Sequence, residues 1–184
     1  MPKVPWSALK SQIKLLDKNS LLGLVKDLYE LSPQSERFLS TRFALQPKGE
    51  PRTAAYRERI QEHFYPRHGD GSIKTGPVRA MIREYRKATG DLQGTLDLML
   101  FAVETGTDFT NDFGDIDEPF YDGLCSILGD FARLLSSPDC RGFYPTFASR
   151  LAKLRDEGSD IGWGYSDFLD EYIGTIEHRF GAAK

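Results

Sequence analysis

The sequence has 184 residues, which is enough for one domain with a single hydrophobic core. Its 40% hydrophobic and 12% aromatic content is typical of a soluble globular protein and excludes a disordered chain. Two cysteines, Cys125 and Cys140, exclude a disulfide framework and favour a reducing compartment. Because the N-terminal residues lack the apolar run of a signal peptide and no window could span a membrane, we expect a cytoplasmic protein with no membrane contact.

Charge is distributed unevenly along the chain. Residues 1–90 carry 17 Lys and Arg against 9 Asp and Glu, whereas residues 91–130 carry 10 acidic residues and no Lys or Arg. Such asymmetry indicates either a partner surface or two parts of one fold that face each other. We favour the second interpretation, since opposite charges on adjacent helices are common and individually weak.

The first half of the chain contains the capping and helix-ending residues that are typical of short helices. Ser7 is predicted to cap the first helix, Asn19 or Ser20 the second, and Ser32 followed by Pro33 the third. After a break at residues 47–51, a fourth helix carries Tyr56, Ile60 and Phe64 on one stripe. A fifth begins at Gly76-Pro77, ends at Gly90, and places four cations on one face: Arg79, Arg83, Arg86 and Lys87.

Residues 91–135 are the predicted centre of the fold. Asp91 caps a helix that is apolar almost all round, which places it in the middle of a helical domain, and Gly106 is its predicted C-cap. An acidic loop follows, and Asp117 with Pro119 begins the return helix. Its predicted buried face is Phe120, Leu124, Ile127, Leu128, Phe131 and Leu135. The first of the last two helices is predicted to bury Phe147, Leu151 and Leu154. The second is predicted to bury Phe168, Tyr172, Ile176 and Phe180, with Leu169 and Ile173 beside them.

These elements predict an all-α fold, a single domain of eight to nine antiparallel helices. A compact array and a short α-solenoid both agree with helix pairs of this size. The predicted organisation is one helical domain over residues 1–184, with N-terminal helices at 1–46, basic helices at 50–90, a central hairpin at 91–135 and C-terminal helices at 138–181.

The acidic loop is a weak candidate metal site. Asp108, Asp112, Asp115 and Asp117 supply the oxygen ligands that hard cations prefer. An EF-hand alignment that starts at Asp108 fails, because Pro119 replaces the final glutamate. We therefore assign no metal and no cofactor, and interpret the carboxylates as helix caps.

Asp97 is unusual because it lies inside an apolar helix, where a carboxylate must be paired. Asp97 and Glu104 lie on roughly the same side of that helix, and we expect Arg79, Arg83 and Arg86 to pair with this acidic seam. A catalytic carboxylate is the alternative, but we identify no catalytic residue. The three histidines, His63, His68 and His178, lack the spacing of a helical metal pair, and no nucleotide-binding or nucleophile motif is present.

Four segments together resemble a family of small bacterial proteins classed as a domain of unknown function. They are LLGLVKDLYELS, ERFLSTRF, DLMLFAVETGTDFTNDFGDIDEPFYDGL and GWGYSDFLDEY. The resemblance implies a helical fold and a bacterial cytoplasmic setting. It implies no activity and no catalytic residues.

The sequence therefore favours a helical, non-enzymatic protein–protein interaction module. Its possible interaction or ion-pair face comprises Arg79, Arg83, Arg86, Lys87, Asp97 and Glu104. One alternative is a metal-binding or acidic-site enzyme centred on the carboxylates of residues 97–118. Another is a nucleic-acid-associated factor that uses the basic helix of residues 77–89, which the overall pI of 5.7 disfavours.

Overall fold

The computed structural model describes residues 4–43, 51–68 and 73–181. Within those ranges it has no β-strand, which confirms the predicted all-α fold with eight to nine helices. The helices are α1 (Trp6–Ile13), α2 (Lys18–Leu31), α3 (Pro33–Arg42), α4 (Ala54–Phe64), α5 (Thr75–Thr89), α6 (Leu92–Phe113), α7 (Glu118–Leu135), α8 (Tyr144–Glu157) and α9 (Tyr165–Gly181). A 3-10 turn, Arg141–Phe143, precedes α8. None of these helices combines the length and apolar character that crossing a bilayer requires.

The helices divide into two compact units, Met1–Gln46 with α1 to α3 and Pro47–Lys184 with α4 to α9. In the first unit, α2 packs against α3, and Ser32 caps α3 with Pro33 in its first turn, as predicted. The predicted caps of the first two helices are wrong. Asp17 caps α2 by accepting a 2.7 Å hydrogen bond from the Ser20 amide, and α1 has no side-chain cap.

In the second unit, α6 lies at the centre and packs against α4, α5, α7 and α8. Its apolar residues Leu96, Leu98, Leu100 and Val103 are fully buried, as a helix that is apolar all round requires. Each such side chain contributes about 1.5–3 kcal/mol on burial. Helix α6 contacts the two helices before it and the two after it in the chain, a pattern that agrees with both a compact array and a short α-solenoid.

The hairpin of α6 and α7 differs from the prediction at one end. Helix α6 does not end at Gly106 but continues to Phe113, and Gly114 closes it with a φ of 89°. Asp117 caps α7 as predicted, accepting a 3.0 Å hydrogen bond from the Phe120 amide. Gly106 instead allows the two helices to approach closely, since a Cβ there would lie 2.6 Å from Leu124 Cδ2.

Gly106→Ala is expected to lower the free energy of unfolding by about 1–2 kcal/mol. Overpacking against the buried Leu124 costs about 1–3 kcal/mol, and the better helix propensity of alanine recovers up to about 1 kcal/mol of it. The control is Gly129→Ala in α7, where the new Cβ has an ordinary 3.8 Å contact to Tyr172 and stability should hold or rise. Urea denaturation of both variants measures the difference. Equal stability of the two would contradict the close helix approach.

The predicted buried stripes of α4, α7 and α8 are all confirmed. The prediction for α9 is confirmed in part, because Ile176 is buried together with Leu169 and Ile173, which were predicted to lie beside the stripe. The buried residues of α9 are Tyr165, Leu169, Ile173 and Ile176. Phe168 is only half-buried and Tyr172 is exposed, and their rings stack on each other with centroids 4.1 Å apart.

Candidate functional site

A groove runs between α5, α6 and α7 in the second unit. It consists of two adjoining pockets of about 110 and 400 Å³, which share Ile82, Arg83, Met99 and Asp130. Arg86 and Leu134 extend the larger pocket. We call this surface, defined by Ile82, Arg83, Arg86, Met99, Asp130 and Leu134, the basic groove.

The floor of the basic groove is apolar. Ile82 is 3% exposed, and Met99 and Leu134 are half-buried and pack against the core. Helix α5 contributes both apolar and cationic residues to the groove, because its buried residues lie beside its cationic face at helical spacing. A ligand in the groove can therefore contact apolar and cationic side chains at once.

Asp130 holds two arginines in place at the groove. Its carboxylate accepts a 2.8 Å hydrogen bond from Arg79 and a 2.9 Å hydrogen bond from Arg133, and Arg79 also donates to Ser126 Oγ. Pairs with this much solvent exposure contribute about 0–1 kcal/mol to stability. Their main consequence is that Arg79 and Arg133 are already paired.

Arg83 and Arg86 differ from those two arginines. Both are exposed, and no carboxylate among the described residues lies within ion-pair distance of either. A guanidinium group recognises a carboxylate through two parallel hydrogen bonds. The groove thus presents two available carboxylate-binding groups beside an apolar floor. Lys87, the fourth predicted cation, is also exposed on this helix.

Asp97 is paired with arginine, as predicted, but the predicted partners were wrong. Arg79, Arg83 and Arg86 do not contact it; Arg57 of α4 donates two hydrogen bonds to its carboxylate, one of 2.9 Å to Oδ2.

Arg150 of α8 completes this network. It donates a 2.7 Å hydrogen bond to Asp97 and hydrogen bonds of 2.8 and 2.6 Å to the two oxygens of Glu104. Arg57 also stacks over the Phe101 ring, with its guanidinium carbon 4.6 Å from the centroid. The four charged residues form one network that joins α4, α6 and α8.

The charge state of Asp97 follows from these contacts. Burial alone would raise its pKa, but the hydrogen bonds from Arg57 and Arg150 outweigh burial and hold the pKa below the ordinary value. Asp97 lines a pocket of about 280 Å³ with Tyr85 and Asp91, and none of the three histidines lines it. A carboxylate held ionised by two arginines is a poor general acid or base at neutral pH. The pairing therefore favours a structural role.

The acidic-loop carboxylates are spread over separate structural roles. Asp112 accepts a 2.8 Å hydrogen bond from Tyr65, Asp115 accepts one of 3.2 Å from Tyr121, and Asp117 caps α7. Partial desolvation and the charge of Glu157 raise the pKa of Asp108. Within residues 4–43, 51–68 and 73–181, no group of three or more His, Cys, Asp or Glu is arranged to hold a metal ion.

Sequence reasoning identified the cations of α5 but missed Asp130, which pairs with Arg79. It also missed Arg57 and Arg150 as the partners of Asp97. Arg150 directly precedes the buried Leu151 and follows Phe147 by three residues, so it borders the inward face of α8. A charged residue at such a border is a signal for a paired group. The sequence does not indicate which carboxylate it meets, because the partners lie 46 and 53 residues away.

No protein-family model, curated protein or solved structure matches this chain. The resemblance to a bacterial helical family therefore stays a prediction, and functional inference depends on the geometry of the basic groove.

Proposed function

We propose that this chain is a protein–protein interaction module whose basic groove receives an acidic, amphipathic helical segment of another protein. The observation that carries the proposal is the position of Arg83 and Arg86, exposed and without a carboxylate partner among the described residues, beside the apolar floor of Ile82, Met99 and Leu134. An amphipathic helix in a groove makes both kinds of contact, apolar along one face and charged at its border.

The composition of the groove favours a peptide over a nucleic acid. Neither of the two pockets has an aromatic lining residue on which a base could stack. The sequence pI of 5.7 also disfavours a nucleic-acid partner.

The proposal specifies the ligand chemically. The bound segment carries leucine-like side chains at helical spacing for the apolar floor. It also carries Asp or Glu at the border of that stripe, so that carboxylates reach Arg83 and Arg86. Apolar contact provides most of the affinity, while the charges provide orientation and fast association.

Fluorescence anisotropy with labelled helical peptides tests this function. An acidic amphipathic peptide should bind saturably. A peptide of the same composition with its apolar residues scrambled, and one with Glu replaced by Lys, should bind at least about tenfold more weakly, which corresponds to about 1.4 kcal/mol. Equal binding of the scrambled peptide, or stronger binding of a duplex oligonucleotide at the same salt concentration, would overturn the proposal.

A further inference from the structure

The first unit exposes an unusual amount of apolar surface. Within residues 4–43, Thr41 alone is buried, and the helices α1 and α2 have no buried residue. Single exposed apolar residues are normal on any protein, but a contiguous set marks an interface. The large exposed side chains of this unit are Val4, Trp6, Leu9, Leu15, Leu16, Leu22, Val25, Leu28, Tyr29, Leu31 and Phe43.

Helix α2 carries the most regular part of this surface. Leu22, Val25 and Tyr29 recur at helical spacing and are 58%, 42% and 42% exposed. Leu21 and Leu24, on the adjoining part of the apolar arc, are half-buried, and α2 packs against α3. We call the side that remains uncovered, defined by Leu22, Val25 and Tyr29, the open stripe.

The exposed apolar area is too large for an isolated unit of this size. Across the whole first unit, eleven large side chains, most of them about half exposed, present on the order of 1,000 Å², of which the open stripe is one part. A stable protein interface covers about 800 Å² on each partner. A helical unit of about 40 residues with almost no buried side chain also lacks the core that independent stability requires.

The charges around the open stripe select its partner. Lys18 lies at the N-terminal end of α2, while at the C-terminal end the Tyr29 hydroxyl donates a 3.2 Å hydrogen bond to Glu36. In an antiparallel pair of α2 helices, the Lys18 end of each helix lies beside the Glu36 end of the other helix. A lipid surface would select cations alone, and Asp27 and Glu30 on this helix disfavour it.

We infer that a second copy of this chain covers the open stripe, in a two-fold dimer that pairs the α2 helices antiparallel. A two-fold interface must be self-complementary, and an apolar stripe with opposite charges at its two ends has that property. The inference uses the first unit only, so its test is independent of peptide binding at the basic groove.

Sedimentation equilibrium of the full chain tests the dimer. The wild-type protein should show twice the mass of one chain at tens of micromolar. Leu22→Glu with Val25→Glu should show the mass of one chain at every concentration. The matched control is Asn19→Glu with Gly23→Glu, which adds the same charge on the exposed polar face of α2 that also carries Lys26 and Glu30, and which should remain dimeric. A single-chain mass for the wild type, or a dimer of the stripe variant, would overturn the inference.

A disulfide trap tests the same contact without adding charge. Val25 lies near the middle of α2, so Val25→Cys should form an interchain disulfide with its counterpart under mild oxidation, while Gly23→Cys should not. The natural cysteines do not compete, because burial raises the pKa of Cys125 to about 12 and Cys140 is fully buried. Equal trapping at positions 23 and 25 would contradict the antiparallel stripe contact.

Discussion

Replacing Arg150 with alanine should lower the free energy of unfolding by about 3 kcal/mol, since removal of one partner from a largely buried ion pair costs about 3–5 kcal/mol. Arg150 is the shared donor between Asp97 and Glu104, and its side chain is 26% exposed. Without Arg150, the carboxylates of Asp97 and Glu104, which are 20% and 21% exposed, lose the cation that they share. The expected value lies at the lower end of the range because solvent reaches part of the network.

Urea denaturation followed by circular dichroism measures this loss. The matched control is Arg133→Ala, which removes an arginine that is 78% exposed from its pair with Asp130. That exposed pair should contribute less than about 1 kcal/mol. A loss below 1 kcal/mol for Arg150→Ala, or equal losses for both variants, would contradict the structural role of the network.

The same network predicts the acid dependence of stability. The folded-state pKa of Asp97 lies below the ordinary value of 3.8, because two arginines outweigh the effect of burial. The stability that Asp97 contributes is therefore complete above its unfolded-state pKa and is lost as the pH falls through the folded-state pKa. In Asp97→Asn, the free energy of unfolding should depend less on pH in this acidic range. An unchanged acid slope in Asp97→Asn would contradict the assignment.

The proposed peptide binding predicts that reversing two charges in the basic groove abolishes most of the affinity for the acidic peptide. Arg83→Glu with Arg86→Glu replaces two carboxylate-binding groups with two groups that repel carboxylates, and we expect at least about a 100-fold rise in Kd, or about 2.8 kcal/mol. Both side chains are exposed, so the free energy of unfolding should change by no more than about 0.5 kcal/mol. Anisotropy with the acidic amphipathic peptide measures the affinity.

The control carries the same change of net charge away from the groove. Arg67→Glu with Lys153→Glu alters two side chains that are 77% and 72% exposed and do not line either groove pocket. Its affinity should stay within about threefold of the wild type, because screened surface charges act mainly on the association rate. If the control loses as much affinity as the groove variant, the binding is non-specific electrostatic attraction.

Much of the fold could be predicted because its helices bury one regular stripe each. Tyr56, Ile60 and Phe64 in α4 illustrate this, and the left-handed Gly90 ends α5 as expected. The length of α6 could not be predicted, since Gly106 is a typical C-cap residue. Gly106 lies inside the helix because it packs against Leu124 of the neighbouring helix, and the local sequence does not encode that contact.

The candidate site was predictable in part for a similar reason. Helical spacing places Arg79, Arg83 and Arg86 on one face from the sequence alone. Which of them is already paired depends on the packing of α7, which brings Asp130 to Arg79 across 51 residues of sequence. The apolar floor depends likewise on Met99 of α6, whose half-exposed position the all-round apolar pattern of that helix does not reveal.

A methyl spectrum of methionine-labelled protein tests the central claim most directly, because the chain has only three methionines. Met99 lines both groove pockets, while the half-buried Met81 packs against the core and lines neither. On titration with the acidic amphipathic peptide, the Met99 signal should shift with the Kd measured by anisotropy, and the Met81 signal should stay in place. A bound peptide that leaves Met99 unshifted would contradict binding in the basic groove.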